Sequence, residues 1–219
     1  MVDPALVLTW LQGWCLARQV PPPVALRDCW RVDVGLPDQK TRYVFPAASP
    51  EIARLARAVS EPFVYIKALL TVEQLARELP PAWRLDPPRF MMRRAALDSA
   101  PALLPPPYRL EVRPDAPVPD ARILTATGEV AASGQVTRVG EYAIFNVIQT
   151  EPAHRRRGLG RAVMRALDGV AREKCARQGM LMATEEGHAL YESLGWQVIS
   201  PYASAVIPDI QRRNQEAKA

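Results

Sequence analysis

Apolar and polar positions alternate along much of the second half of the chain, as they do in strands that bury one face. Segments of this kind are YRLEV, ARILTAT, EVAASGQVTRV and YAIFNVIQT, which begin at residues 108, 121, 129 and 142. The tripeptide Thr127-Gly128-Glu129 separates the second segment from the third. The pattern therefore predicts four strands, with a tight hairpin between the middle two.

From Leu159 the apolar residues recur at helical spacing instead. They are Val163, Ala166, Leu167, Val170 and Cys175. This spacing predicts a long helix, and Gly179 suits the position just after its end. Beyond it we expect a strand at MLMAT, a helix from about Gly187 to Leu194 ended by Gly195, strands at WQVIS and ASAVI, and a polar tail, DIQRRNQEAKA, that frays.

The amino-terminal part of the sequence predicts a smaller set of helices and strands. The predicted elements are a helix over about residues 4–19, strands at CWRVDV and TRYVF, a helix over 50–59, a strand at FVYIKAL, a helix at TVEQLAREL and a strand at RFMMRR. Successive prolines cannot continue a helix or a central strand, so the stretch from Pro101 to Pro107 is the best boundary. We therefore predict an α/β domain over residues 1–105 and a second domain over residues 106–219.

Composition and charge narrow the possible functions. The formal charge of the 219-residue chain is +5, with 24 Arg against 4 Lys. Because Arg, Ala and Pro are all abundant, compositional bias explains this excess, and we expect no nucleic-acid partner. The three cysteines are scattered without zinc-site or disulfide spacing, so we expect a reduced, cytoplasmic protein without a metal. No apolar run reaches membrane-spanning length and no signal peptide is apparent, so we expect no membrane partner.

One stretch has the features of an anion site. Residues 150–167, TEPAHRRRGLGRAVMRAL, place three arginines and a Gly-x-Gly directly before the long helix. A helix start presents unpaired backbone N–H groups and partial positive charge, and glycines let a phosphate approach them. A dinucleotide fingerprint would need a third glycine where Val163 stands, and the Gly-Lys-Ser/Thr of a P-loop is absent.

The remaining pattern, Arg155-x-x-Gly158-x-Gly160 between a strand and a helix, resembles the acyl-CoA-binding motif of the GNAT superfamily of N-acetyltransferases. Downstream, ATEEGHALYESLGWQVIS resembles the second motif of that family. The resemblance covers about residues 108–208. It implies an α/β (α+β) fold with a mixed, mostly antiparallel central sheet flanked by helices, here preceded by a smaller α/β domain. It also implies acetyl-CoA as the cosubstrate.

The resemblance assigns residues to CoA. The residues expected around the pyrophosphate, mostly through backbone N–H groups, are Arg155, Arg156, Arg157, Gly158, Leu159, Gly160 and Arg161. The backbone of Ile148, Gln149 and Thr150 is expected to pair edge-on with the pantetheine amides. Thr184 replaces the usual Asn after the strand between the two motifs.

The resemblance also suggests catalytic residues. Tyr191 matches the usual general acid, which protonates the CoA thiolate, although an ordinary core tyrosine is the alternative. His188 lies on the same helical face, where it either takes part in catalysis or fixes the helix start. The base is open: Asn146 can only hold a water that accepts the proton, Glu141 is the nearest carboxylate, and Glu151 borders the expected phosphate site, which would repel it.

Two functions follow from these residues. The first is an N-acetyltransferase in which a primary amine attacks acetyl-CoA directly, and the second is an acyl-CoA-binding regulatory module without catalysis. The acceptor remains open among a small-molecule amine, a peptide amino terminus and a lysine, and the chain is expected to be a monomer or homodimer. Because RPDAPVPD, residues 113–120, replaces two helices of the family, we expect the amino-terminal domain to supply the acceptor wall. That domain is either a degenerate GNAT-like half or an independent domain that tethers or dimerises.

Overall fold

The computed structural model of the chain describes residues 2–209, which form two compact units. The first unit comprises the residues up to Leu8, residues 20–91 and the segment from Ile199, and the second comprises residues 9–19 and 92–198. Each unit therefore contains segments that are distant in sequence. The predicted division after residue 105 concerns domains that fold independently, and it stays a prediction.

The first unit contains both helices and strands. Its elements are the start of α1 (Pro4–Arg18), β1 (Val24–Ala25), β2 (Trp30–Leu36), β3 (Gln39–Phe45), α2 (Pro50–Ala58), β4 (Val64–Ala68), α3 (Val72–Ala76), β5 (Arg84–Leu85), the first half of β6 (Arg89–Arg94) and most of β12 (Gln197–Val206). Strands β1 to β4 are neighbours in that order, and β3 and β4 are parallel. Helices α2 and α3 contribute Ile52 and Leu75 to a core that also contains Phe45 and Ile66, all fully buried.

The second unit contains a longer run of strands. Its elements are most of α1, the second half of β6, β7 (Arg109–Arg113), β8 (Asp120–Leu124), β9 (Val130–Val139), β10 (Tyr142–Thr150), α4 (Leu159–Glu173), β11 (Gln178–Thr184), α5 (Glu185–Glu192) and the start of β12 (Gln197–Val206). Strands β7 to β10 pair antiparallel in sequence order, and β10 pairs with β11 in parallel. The predicted fold class, a mixed and mostly antiparallel sheet flanked by helices, is confirmed.

The order of elements is repeated in the two units. In the first, the antiparallel pair β2 and β3 is followed by α2, by the parallel strand β4 and by α3. In the second, the antiparallel pair β9 and β10 is followed by α4, by the parallel strand β11 and by α5. The strand after α5 then returns to the first unit, where Ala203–Val206 of β12 pair with β4.

Three local predictions are corrected. Helix α4 ends at Glu173 rather than near Gly179, because Cys175 takes a left-handed conformation (φ +62°) that a helix cannot continue through. Gly179 instead lies in β11, where a Cβ would come within 2.6 Å of the Trp196 ring. The two predicted last strands are one strand, β12. The predicted fraying of the tail concerns residues 209–219, of which all but Asp209 lie outside the described residues.

A buried ion pair joins β6 to α4 in the second unit. Arg94 donates through Nη2 to Oδ1 of Asp168, and both side chains are almost fully buried. The guanidinium also lies 5.0 Å from the centre of the Trp196 ring. Burial raises the pKa of Asp168 to about 6, and the hydrogen bond and charge of Arg94 oppose that rise.

Arg94→Met is expected to lower the free energy of unfolding by about 3 kcal/mol near neutral pH, because it leaves a buried carboxylate without its cation. Loss of Arg94 raises the pKa of Asp168 further above its unfolded value, so the destabilisation shrinks as the pH falls towards about 6 and the carboxyl group takes up a proton. Urea unfolding at about pH 6 and about pH 8 measures both effects. Arg172→Met, which changes an exposed arginine of the same unit, is the control, and equal stability of both variants would contradict the prediction.

Candidate functional site: the loop between β10 and α4

The second half of strand β10 has a neighbouring strand on one side only. It pairs with β11 from Tyr142 to Ile144, whereas its pairing with β9 continues to Thr150. The register with β9 shifts between Asn146 and Gln149, and Val147 within this bulge has a φ of +52°. Such a φ is strained for a β-branched residue, so the rest of the fold must hold Val147 in this bulge. The β11-facing edge of residues 145–150 can therefore accept an extended ligand.

The start of α4 carries no side-chain cap. Gly158 is the N-cap, with a φ of +78° that glycine adopts at little cost, and a Cβ there would meet open space. Its carbonyl accepts from Ala162 N–H, which begins the helical hydrogen bonds. The earlier N–H groups of the first turn have no partner inside the helix. Together with the positive end of the dipole of this 15-residue helix, these N–H groups are suited to binding an anion.

The predicted arginines lie around this helix start, some towards α5 and one towards Tyr108. Arg155 Nη1 lies 3.8 Å from Glu186 Oε2, and Arg161 Nη2 donates to Ser193 Oγ at 3.1 Å, so both are held towards α5 and the residue that follows it. Arg157 Nη1 donates instead to the Tyr108 hydroxyl at 3.0 Å. Arg156 is exposed with a φ of +63°. The structure thus brings the four predicted arginines around one loop.

Tyr191 lies on α5, and its ring is 6.3 Å from that of Trp196. The residue is 7% exposed, and burial raises the pKa of its hydroxyl to about 12. The phenol is therefore protonated throughout the neutral pH range, as a proton donor must be. Burial also makes it a weaker acid than a free tyrosine.

Thr184 and His188 have separate positions at the start of α5. The Thr184 hydroxyl caps the helix by accepting from Gly187 N–H at 3.1 Å, so His188 is not the cap. His188 Nε2 lies 3.4 Å from Glu192 Oε1, one helical turn away. A histidine side chain can act as a general base if the acceptor amine comes within hydrogen-bond reach of it.

Of the two other predicted catalytic residues, Asn146 lies on β10 and Glu141 directly before it. Asn146 is buried at the bulge, and its Nδ2 donates to the Ile144 carbonyl at 3.1 Å. Glu141 precedes the strand, so the length of β10 separates it from the loop, about 30 Å at the usual rise per residue. The structure therefore does not bring Glu141 to the other predicted site residues.

Tyr108 is a site residue that the sequence did not reveal. Its hydroxyl contacts both Arg157 and His154, from a position 46 residues before His154. No local pattern links residues at that separation. The start of β7 comes near the loop because β7 pairs with β8 and β8 pairs with β9.

A second polar cluster lies on the sheet of the first unit. Lys67 of β4 is buried, and its Nζ donates to Ser204 Oγ at 2.7 Å, which donates to Asp86 Oδ2 at 2.7 Å. Burial, followed by the charges of Arg42 and Arg89, lowers the pKa of Lys67 well below its ordinary range, and Asp86 opposes the fall. Between this lowered pKa and the unfolded value of about 10.4, the unfolded chain therefore binds more protons than the native one, so the buried lysine destabilises the protein by an amount that shrinks as the pH rises.

Lys67→Met is expected to raise the free energy of unfolding, because it removes an amine whose protonated form is costly to bury. Each pKa unit of depression corresponds to about 1.4 kcal/mol, so the gain is larger at about pH 7 than at about pH 9.5. Urea unfolding of both proteins at the two pH values measures the difference. Lys40→Met, at an exposed lysine paired with Glu61, should show no such pH-dependent gain. A gain for Lys67→Met that is equal at both pH values would contradict the assignment.

The part of the chain that contains this loop is similar to a known family of protein domains. Residues 119–198 match the family model described as an acetyltransferase (GNAT) domain. They contain the bulged strand β10, the start of α4, and α5. This part of the chain therefore matches the GNAT acetyltransferase domain, a domain of enzymes that transfer an acyl group from acyl-CoA.

Solved structures share the fold over nearly the whole chain. A GCN5-related N-acetyltransferase from Kribbella flavida is similar with a TM-score of 0.64 and 14% identity, over 95% of this chain and 97% of its own. A GCN5-related N-acetyltransferase-like protein from Streptococcus suis 89/1591 gives a TM-score of 0.60 and 12% identity over 91% and 92%. A tandem GNAT protein from the clavulanic acid biosynthesis pathway gives a TM-score of 0.50 and 15% identity, over 73% of this chain and 69% of its own. No curated protein matches the sequence.

Among residues 2–209, no three or more His, Cys, Asp or Glu side chains are grouped as metal ligands would be. None of the helices described is long and apolar enough to cross a membrane.

Proposed function

We propose that the protein is an N-acetyltransferase that transfers the acetyl group of acetyl-CoA to a primary amine by direct attack. The observation that carries this proposal is the uncapped start of α4, which directly follows the bulged end of β10. That arrangement supplies two kinds of backbone group in sequence. One is a set of N–H groups suited to a pyrophosphate, and the other is a strand edge suited to amides.

CoA would extend along both features. Its pyrophosphate would bind the N–H groups of Gly158 to Arg161, and the side chains of Arg155 and Arg161 would offset its charge. The pantetheine amides would pair with the β11-facing edge of residues 148–150. Thr184 would remain available there, because a hydroxyl that accepts from Gly187 N–H can still donate its own proton.

The chemistry requires three proton transfers. The neutral amine attacks the thioester carbonyl carbon, the nitrogen of the resulting tetrahedral intermediate loses a proton, the C–S bond breaks as the intermediate collapses, and the leaving thiolate takes a proton from Tyr191, whose phenolate recovers the one that the nitrogen released. Before the attack, the ammonium form of the acceptor must lose a proton. His188, beside Glu192, is our candidate to accept it, whereas Asn146 can only position a water and Glu141 lies at the far end of β10. Orientation of the two substrates would contribute the rest of the rate.

The test is a screen of amines that includes small molecules, peptide amino termini and lysine side chains, with release of free CoA thiol as the readout. Acetyl-CoA should give thiol release that depends on the acceptor and a product heavier by one acetyl group. Tight CoA binding with no release in any arm would instead support a CoA-binding regulatory module. The feature that favours this second function is that the described part of β10 offers no carboxylate at the bulge.

For the first unit we propose a degenerate GNAT-like half. Its β2–β3–α2–β4–α3 order repeats that of the CoA-binding half, but the start of its helix differs. At α2 the Ser49 hydroxyl accepts from Glu51 N–H, Pro50 removes a donor, and the Glu51 carboxylate occupies the first turn. Each of these features disfavours a phosphate. Since residues 114–119 between β7 and β8 form turns and bends rather than helices, we further propose that this unit contributes to acceptor binding.

The chain is accordingly expected to bind one CoA. Isothermal titration calorimetry of the full chain with CoA should give a stoichiometry of about one, because among the α-helices of residues 2–209 only α4 begins without a side-chain cap or a nearby acidic residue in its first turn. Glu51→Gln should leave that number unchanged. Two bound CoA molecules per chain would show that α2 also accepts the cofactor.

A further inference from the structure

The hydroxyl of Tyr108 joins two side chains of the candidate CoA loop. It accepts from Arg157 Nη1 at 3.0 Å and lies 2.8 Å from His154 Nδ1. The Tyr108 and His154 rings also meet edge to face, with centres 5.6 Å apart at 88°. A hydroxyl has one proton and two lone pairs, so it can accept from Arg157 and donate to His154 at once.

This network determines which hydrogen-bond donors His154 and Arg157 offer to a ligand. When the Tyr108 proton is donated to Nδ1, the imidazole proton resides on Nε2, which is then a donor. The guanidinium of Arg157 uses one N–H on Tyr108 and keeps four others. Arginine and histidine are therefore held as neighbouring donors beside Gly158, on the side of the loop near the start of β7. Arg155 and Arg161 are held towards α5 and Ser193 instead.

We propose that Tyr108 is a positioning residue that holds Arg157 and His154 to bind the 3′-phosphate of the CoA ribose. This inference rests on the proposed function. CoA carries a pyrophosphate and a separate 3′-phosphate, and backbone N–H groups at a helix start suit the former. A second cluster of side-chain donors then serves the second phosphate, for which the fork of Arg is the best geometric match.

The experiment compares CoA with dephospho-CoA, which lacks only the 3′-phosphate, by calorimetry on the full chain. The wild-type protein should bind CoA more tightly. Tyr108→Phe should weaken CoA binding about fivefold to tenfold, because it removes one charge-assisted hydrogen bond and frees the Arg157 side chain, and should leave dephospho-CoA binding unchanged. Tyr142→Phe, which removes a hydroxyl at the other end of β10, is the matched control. Thermal unfolding of both variants confirms that they are folded.

A double-mutant cycle identifies the route of the effect. If Tyr108 acts through Arg157, the Tyr108→Phe and Arg157→Gln losses are not additive for CoA. His154→Gln is a second single variant and should show the same selective loss. Equal weakening of both ligands, or of neither, by Tyr108→Phe and His154→Gln would overturn the assignment to the 3′-phosphate. Failure of the wild-type protein to bind either ligand would contradict the proposed function instead.

Discussion

Tyr191→Phe is expected to lower the rate of acetyl transfer about 10²- to 10⁴-fold while the affinity for CoA stays the same. Only the hydroxyl is removed, so the ring keeps its packing against Trp196 and the shape of α5 is retained. The variant protein would still hold acetyl-CoA and an amine, but the leaving thiolate would have to take its proton from water. Steady-state rates at saturating acetyl-CoA, together with calorimetric binding of CoA, measure the two effects separately.

Tyr202→Phe is the matched control, because Tyr202 is a second buried tyrosine whose pKa burial raises to about 12. Removal of the Tyr202 hydroxyl tests whether the loss of any buried hydroxyl lowers the rate of acetyl transfer. The raised pKa of Tyr191 adds a pH prediction: since the phenol keeps its proton up to about pH 12, its ionisation should not limit the alkaline side of the rate profile below that pH. A Tyr191→Phe protein that acetylates at the wild-type rate would show that another group protonates the thiolate.

Gly158→Glu is expected to weaken CoA binding about 10²- to 10³-fold. It places a carboxylate at the uncapped start of α4, where two unit charges about 4 Å apart interact by about 4 kcal/mol at an effective dielectric constant near 20. It also competes for the N–H groups that the pyrophosphate would use. Calorimetry with CoA measures the loss, and thermal unfolding shows whether the protein remains folded.

Two control variants separate charge from backbone strain. Gly158→Ala keeps the neutral helix start but imposes the same φ of +78° on a residue with a Cβ, for which open space is present. Gly128→Glu repeats the change at the hairpin between β8 and β9, where φ is +88° and a Cβ again meets nothing within 4 Å. Both should bind CoA far better than Gly158→Glu. Wild-type affinity in folded Gly158→Glu protein would remove the basis of the functional assignment.

The sequence alone was sufficient for the features that depend on neighbouring residues. Alternation predicted β8, β9 and β10, helical spacing predicted α4, and Gly128 predicted the hairpin, because each signal lies within one element and the side chains face one core. The loop proposed to bind phosphate could be located for the same reason, since Arg155 to Arg161 are consecutive and the proposed binding depends mainly on their backbone N–H groups. The prolines of residues 113–120 likewise excluded helices between β7 and β8.

Other features were decided by contacts between distant segments. Gly179 looked like a helix end, but its place in β11 is set by the Trp196 ring, and α4 stops earlier at Cys175. The position of Glu141 at the wrong end of β10, and the strained bulge at Val147, follow from strand register, which a single strand does not encode. Tyr108 met His154 and Arg157, and Lys67 met Ser204, only after strands from separate parts of the chain had paired. The sequence therefore determined the elements and the anion loop, because local propensity specifies them. The tertiary structure decided which side chains share a site, because contacts across the sheet depend on register and burial rather than on sequence spacing.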